Sequence, residues 1–191
     1  MSKILMLSIK ILMLSFYLLK EEQILPITKT DYEKGIKPQK IIYNKHIVKK
    51  GIILKYCKFC KPFKDNANPD DFFEYEYQGE FLTVGLSVIK KVYYNDEEYL
   101  IVNKKTCSVS TIPGKPFLFD SFIICANDGQ TTDKKYFIEI WQFRSNKLYK
   151  LERIYLKEQT EPINFHLLKN RIIAFKNING LYFKLNRSCY H

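Results

Sequence analysis

Phe73-Glu-Tyr-Glu-Tyr77 alternates aromatic and acidic residues with a period of two. Successive side chains of an extended strand point to opposite faces, so one face of this stretch is aromatic and the other is charged. Glu74 and Glu76 share the charged face, which is what a strand with one solvated side requires. The stretch therefore predicts a half-buried β-strand and not a pair of catalytic acids.

The rest of the chain shows the same preference for strands. Eight further segments are rich in Val, Ile, Phe and Tyr, residues that favour β-structure. Pairs containing Asn, Asp, Pro or Gly separate several of them and predict chain reversals, as at Asn95-Asp96, Pro113-Gly114, Asp128-Gly129, Ser145-Asn146 and Asn179-Gly180. Residues 148–156 also fit a helical spacing of apolar side chains. The further predicted strands are 80–94, 98–103, 117–125, 136–143, 148–156, 164–168, 171–175 and 181–185.

These features predict an all-β fold, an antiparallel meander of roughly eight to ten strands that forms a sandwich or an open barrel. Pro26, Gly35 and Pro38 interrupt residues 25–50, which are predicted as an irregular N-terminal arm that enters the sheet near 41–48. A propeller is the rival architecture, but the length supports only two or three blades of about 40–50 residues. No linker-like stretch divides residues 21–191, which are predicted as a single β-rich domain.

The chain begins with a repeat, because residues 3–8 and 10–15 both have the sequence Lys-Ile-Leu-Met-Leu-Ser. Lys10, the apolar run 11–19 and the polar residues 20–23 match the three parts of a secretory signal. Residues 1–20 are therefore interpreted as an export signal, which implies a periplasmic or extracellular protein without a stable transmembrane span. The small residues typical of a cleavage site are absent. A cytoplasmic protein with a buried N-terminal segment and a retained anchor are the alternatives.

The net charge is +11, from 31 Lys and Arg against 20 Asp and Glu. Four of the basic residues are Arg, the side chain that reads guanine bidentately, and this scarcity argues against sequence-specific nucleic-acid binding. Lys90, Lys91, Lys134 and Lys135 lie near predicted strand ends, where lysine commonly keeps sheet edges soluble. These four are weak candidates for a binding surface, and a polyanion-binding module is an alternative function.

Cys57 and Cys60 are separated by two residues, the spacing of a redox dithiol or of half a metal site. Pro62 and the Asn- and Asp-rich residues after it interrupt the helix that a thioredoxin-like centre needs. Four zinc ligands are not grouped in the sequence, so neither a metal nor a cofactor is expected. In an oxidising compartment the disulfide candidates are Cys107 with Cys125, which flank a turn, and Cys57 with Cys60.

The single Trp141 lies in residues 137–143, where both faces of the predicted strand are mostly apolar. This pattern predicts a central strand covered on both sides, whereas an exposed Trp141 would form a platform for a ligand. The chain contains no nucleophile, metalloprotease or phosphate-loop motif. The sequence therefore predicts a non-enzymatic, exported β-domain that binds another protein or a small ligand, for example a protective or inhibitory protein. A thiol-disulfide enzyme using Cys57 and Cys60 is the enzymatic alternative.

Overall fold

The computed structural model of the chain describes residues 24–127, 135–156 and 160–188. The predicted export signal at residues 1–20 and the predicted turn at Asp128-Gly129 lie outside these ranges. Strands make up 54% of the structure and helices 7%, which confirms the all-β antiparallel prediction. None of the helices in the described ranges is both long and apolar enough to cross a membrane.

Within the described residues the chain forms fifteen strands, one short helix and two single turns of 3-10 helix. The N-terminal part contains β1 (Ile24–Pro26), α1 (Lys29–Glu33), β2 (Lys49–Lys50), β3 (Ile53–Leu54), β4 (Phe63–Lys64) and a 3-10 turn at Pro69–Asp71. The middle contains β5 (Glu74–Phe81), β6 (Leu86–Val92), β7 (Glu97–Asn103), β8 (Val109–Ile112), β9 (Phe117–Phe119) and β10 (Phe122–Ala126). The C-terminal part contains β11 (Phe137–Arg144), β12 (Lys147–Tyr155), β13 (Pro162–Leu167), a 3-10 turn at Lys169–Arg171, β14 (Ile172–Asn177) and β15 (Tyr182–Ser188).

These strands form four antiparallel sheets, each built mainly from strands that follow one another in the chain. Strands β2–β4 form the short sheet, β5–β8 the first large sheet and β9–β12 the second large sheet. Strands β13–β15 form the third large sheet, which β1 completes by pairing with β15. Each large sheet thus has four strands, the unit from which propeller blades are also made.

The sheets lie face to face in chain order, and three apolar clusters fill the spaces between them. The first large sheet packs against the short sheet on one face and against the second large sheet on the other. The second large sheet also packs against the third. In β11, Ile138 and Ile140 point into one cluster while Trp141 and Phe143 pack against another. This confirms the prediction that the strand of Trp141 is covered on both faces.

The predicted irregular arm is present, and it runs along the first strand of each large sheet. Three residues of the arm, spaced three positions apart in the chain, form backbone bridges. Each of these bridges reaches a different large sheet. The amide nitrogens donate to carbonyl oxygens of β13, β9 and β5 at distances of 2.7, 2.8 and 2.9 Å, in the pairs Ile36 with Leu167, Gln39 with Leu118 and Ile42 with Glu80.

The structure divides two of the predicted strands. Residues 80–94 contain a turn at 82–85, between β5 and β6, and residues 117–125 contain a turn between β9 and β10. The alternation of apolar residues continues through the first turn because Leu82 and Val84 are apolar. Residues 148–156, which also fitted a helix, form most of β12 and pair with β11.

Candidate functional site

The short sheet is the end layer of the stack, and no other sheet of the described residues covers its outer face. Leu54 is fully buried against the first large sheet, whereas its neighbour Ile53 is 45% exposed. Paired residues of antiparallel strands share a face, so Lys50 and Lys64 lie beside Ile53 on the outer side. The outer face of the sheet is thus a row of lysine, isoleucine and lysine.

Residues next to these strands add exposed apolar side chains. Val48 precedes β2, and Ile52 lies in the turn between β2 and β3, and both are exposed. Phe59, in the connection from β3 to β4, is 86% exposed and has Lys58 Nζ 5.5 Å from the centre of its ring. We name this surface the basic face. It consists of the outer-face residues Lys50, Ile53 and Lys64, together with exposed residues that lie beside the strands in the chain, namely Val48, Ile52, Lys55, Lys58, Phe59 and Lys61.

The basic face belongs to a stretch with an unusual charge distribution, since residues 34–64 contain ten lysines and no acidic residue. Lys34 pairs with Asp31, and Lys49 lies 2.6 Å from Asp65. Among the described residues the other eight lysines of the stretch have no ion pair, and all are exposed. They are Lys37, Lys40, Lys45, Lys50, Lys55, Lys58, Lys61 and Lys64.

The lysines chosen from the sequence lie elsewhere. Lys90 forms an ion pair with Glu97. Lys91 lies 3.9 Å from Glu98, and its Nζ lies above the rings of Phe73 and Tyr93, which flank β5 and β6, at 4.1 Å from the centre of Phe73. Both ammonium groups are therefore engaged within their own sheet. Lys135 is exposed, and Lys134 lies outside the described residues.

The cysteine pairing differs from both pairings that the sequence favoured. Cys60 forms a disulfide with Cys107, while Cys57 and Cys125 are free thiols. Cys107 follows β7 and packs with the cluster between the short sheet and the first large sheet, where Cys60 is buried. Cys125 lies on the opposite side of the first large sheet, in the cluster shared with the second. Burial raises the pKa of the Cys125 thiol, so this thiol is protonated at neutral pH.

This pairing leaves no free dithiol at Cys57 and Cys60. A dithiol catalyst needs two cysteines that can bond to each other during turnover, and Cys60 is instead buried and bonded to Cys107. The disulfide links the β3–β4 connection, which carries Phe59, to the turn between β7 and β8.

Trp141, the other candidate from the sequence, uses its polar atom within the fold. Its Nε1 donates to Glu139 Oε2 at 3.0 Å, and Glu139 is almost completely buried. Glu139 also accepts from Arg153 Nε at 2.8 Å and from Lys150 Nζ at 3.4 Å. The buried carboxylate is thus matched by cations at the rim of its sheet. A glutamate within an otherwise apolar strand was the sequence signal for this cluster.

A second buried carboxylate lies near the disulfide. Glu80 accepts hydrogen bonds from the Tyr77 hydroxyl at 2.9 Å and from Lys104 Nζ at 2.7 Å. The Lys104 ammonium balances the charge of the carboxylate, and the two hydrogen bonds fix its orientation. In residues 24–127, 135–156 and 160–188, no three His, Cys, Asp or Glu side chains are grouped as metal ligands.

Comparison with known proteins adds no further candidate. No protein-family model, curated protein or solved structure matches this chain. The choice of the basic face as the candidate site therefore rests only on its position, exposure and charge. The signal that reveals it in the sequence is the absence of acids from residues 34–64, which a search for adjacent lysine pairs overlooks.

Proposed function

We propose that this protein is a non-enzymatic β-domain that binds a negatively charged partner through the basic face. One observation carries the proposal: within the described residues, two lysines without an ion pair flank the exposed Ile53 on the outer face of the short sheet, and further exposed lysines and apolar side chains lie next to these strands in the chain. Clustered charge of one sign steers an oppositely charged partner toward its site. Exposed apolar side chains grouped among polar ones are typical of interaction sites.

A purely solvating role explains this surface less well. Surfaces that only solvate a fold usually intersperse charges of both signs, as the first large sheet does with its Lys90–Glu97 and Lys91–Glu98 pairs. The basic face lacks such partners among the described residues. Its lysines repel one another, and a negatively charged partner relieves that repulsion.

We further propose that the protein is exported. Residues 1–20 have the composition of an export signal, and a disulfide is stable in an oxidising compartment. Intact mass of the protein from its native host, with and without reductant and alkylation, tests this. We expect a chain that begins near residues 18–23 and contains an oxidised cysteine pair. A full-length chain with five free thiols would contradict export.

Two charge-reversal variants test the binding proposal. The first, K50E/K55E/K64E, changes the basic face, and the matched control, K115E/K147E/K169E, changes exposed lysines outside it. Each lowers the formal net charge from +11 to +5. The probes are heparin, polyglutamate and vesicles that contain phosphatidylglycerol.

We expect the unchanged protein to bind at least one of these anions, with an affinity that falls steeply as salt is added. The first variant should lose this binding and the control should keep most of it. Equal losses in both variants would show a general charge effect and contradict a specific site. If the unchanged protein binds none of these three anions, the proposal itself is contradicted.

A further inference from the structure

We infer that the negatively charged partner is an anionic phospholipid bilayer, with Ile52, Ile53 and Phe59 entering its headgroup region. This inference rests on the proposed function and deepens it. Lysines attract the phosphate groups, while the apolar side chains between them leave water for the boundary of the acyl chains. The basic face thus supplies both the electrostatic attraction and the apolar contact with the bilayer.

The cations of the basic face are all lysines, and the chain has no arginine before Arg144. Lysine is a point charge without the planar fork that recognises a base edge or a single phosphate bidentately. Protein interfaces are depleted in lysine and enriched in arginine. A bilayer of anionic lipids requires only diffuse positive charge, and each lysine near such a surface strengthens binding about fivefold.

The exposed apolar side chains also favour lipid. Val48, Ile52 and Ile53 are aliphatic, and aliphatic side chains do not provide the stacking platforms that single-stranded nucleic acids use. Their transfer from water to the boundary of the acyl chains lowers the free energy. Phe59, the most exposed of the large apolar residues described here, protrudes from the connection between β3 and β4.

The register of the short sheet places lysine on both sides of an exposed apolar side chain. Ile53 lies between Lys50 and Lys64 on three adjacent strands, so a lysine flanks it on each side. Long lysine side chains reach headgroups while their stems lie along apolar surface. The Cys60–Cys107 disulfide holds the connection that carries Phe59, which reduces the conformational entropy lost when Phe59 inserts.

Vesicle binding by the full chain tests this inference. We compare phosphatidylcholine vesicles with vesicles that also contain phosphatidylglycerol, and we measure heparin binding in parallel. The variant I53S/F59S removes apolar insertion without changing the charge. The control I178S/L181S changes two exposed apolar residues near the turn between β14 and β15. Every variant has the same residues 1–23, so any lipid affinity of that segment is common to all.

We expect the protein to bind the anionic vesicles and to bind pure phosphatidylcholine much more weakly. I53S/F59S should weaken vesicle binding at least about tenfold, because less apolar area leaves water on binding, and should weaken heparin binding much less. The variant K50E/K55E/K64E should weaken vesicle binding by at least about 100-fold, because it removes three lysine contributions and adds three repelling charges. The control I178S/L181S should bind like the unchanged protein.

A Phe59→Trp variant locates the contact directly. With the unchanged protein as the blank for Trp141, which lies in the second large sheet, we expect a blue-shifted emission on anionic vesicles. Brominated lipids should quench this emission. Binding to heparin or polyglutamate without vesicle binding, or vesicle binding that is unaffected by I53S/F59S, would overturn the bilayer inference and leave the proposed function standing. No binding to any anion would overturn both.

Discussion

Cys60 and Cys107 are joined by a disulfide across 47 residues of sequence, with their Cα atoms 5.4 Å apart. The bond fastens the connection that carries Phe59 to the turn between β7 and β8. It is therefore the covalent link between the basic face and the first large sheet.

Removal of this disulfide should destabilise the fold. A closed loop of this length restricts the unfolded chain by about 4 kcal/mol in the chain-entropy model. We expect Cys107→Ser to lower the free energy of unfolding by up to about that amount in urea titrations. Cys57→Ser, which leaves the bond intact, is the control and should have a much smaller effect. Peptide mapping should find Cys60 linked to Cys107, and a Cys57–Cys60 or Cys107–Cys125 linkage would contradict the pairing.

The buried Glu139 should contribute to stability through its three donors. Glu139→Ala leaves Trp141 Nε1 and the Arg153 guanidinium without this acceptor, and we expect a loss of about 3 kcal/mol. Glu139→Gln keeps an acceptor oxygen but removes the charge, so its loss should be smaller. The exposed Glu76→Ala is the control, with an expected change within about 0.5 kcal/mol. Urea unfolding followed by Trp141 fluorescence measures all three. A Glu139→Ala loss no larger than that of Glu76→Ala would show that the buried ion pair contributes nothing.

The strands of this fold were predictable where one local pattern determines them. The alternation at 73–77 and the two apolar faces at 137–143 depend only on how a strand presents its side chains. The reversal at Ser145-Asn146 was also predictable from local sequence, because both residues tolerate the positive φ that they adopt. The turn at 82–85 was not, since Leu82 and Val84 continue the apolar pattern and Leu82 is exposed.

The cysteine pairing and the basic face depend on contacts that no local pattern encodes. Cys107 and Cys125 are near in sequence, but they lie on opposite sides of the first large sheet. The lysines of the basic face are mostly separated in the chain, and the turns of the short sheet bring Lys50 and Lys64 to the two sides of Ile53. The acid-free run at 34–64 was visible in the sequence, but which of its lysines share a surface was not.

Buried tyrosines should make the fold sensitive to high pH. Burial, and then the neighbouring Tyr182, raise the pKa of Tyr32 from 10.0 to about 12. The raised pKa means that the folded state holds the proton longer than the unfolded state does. The stabilisation is complete below pH 10 and is lost as pH rises through the folded pKa near 12. Burial also raises the pKa of Tyr77 and Tyr93, whose hydroxyls donate to Glu80 and Glu98.

Urea unfolding at a series of pH values measures this effect. In Tyr32→Phe the free energy of unfolding should fall less steeply above pH 10 than in the unchanged protein, because one linked proton is gone. Tyr94→Phe, at an exposed position, is the control and should keep the original slope. An unchanged slope in Tyr32→Phe would refute a linkage through Tyr32.

Gly79 should be required for the N-terminal arm to pack against β5. Its φ of +131° is favourable for glycine alone, and a Cβ there would lie 2.5 Å from Ile41 Cγ2 and 2.8 Å from the Ile42 carbonyl oxygen. Gly79→Ala must therefore strain the strand and displace the arm, and we expect a loss of about 3 kcal/mol or more. Gly51→Ala is the control, because its φ is +57° and no atom lies within 4 Å of the new Cβ, so about 1 kcal/mol is expected.

Amide hydrogen exchange distinguishes displacement of the arm from general destabilisation. Ile42 donates to Glu80 and Glu80 donates to Ile42, both at 2.9 Å, so loss of this bridge exposes two amides of known position. In Gly79→Ala these two amides should exchange faster relative to Leu167, whose amide pairs with the arm at Ile36. Equal acceleration at all three positions would show that the whole arm detaches. Unchanged exchange at Ile42 would show that β5 accommodates the methyl group without moving the arm, and the assigned role of Gly79 would then be wrong.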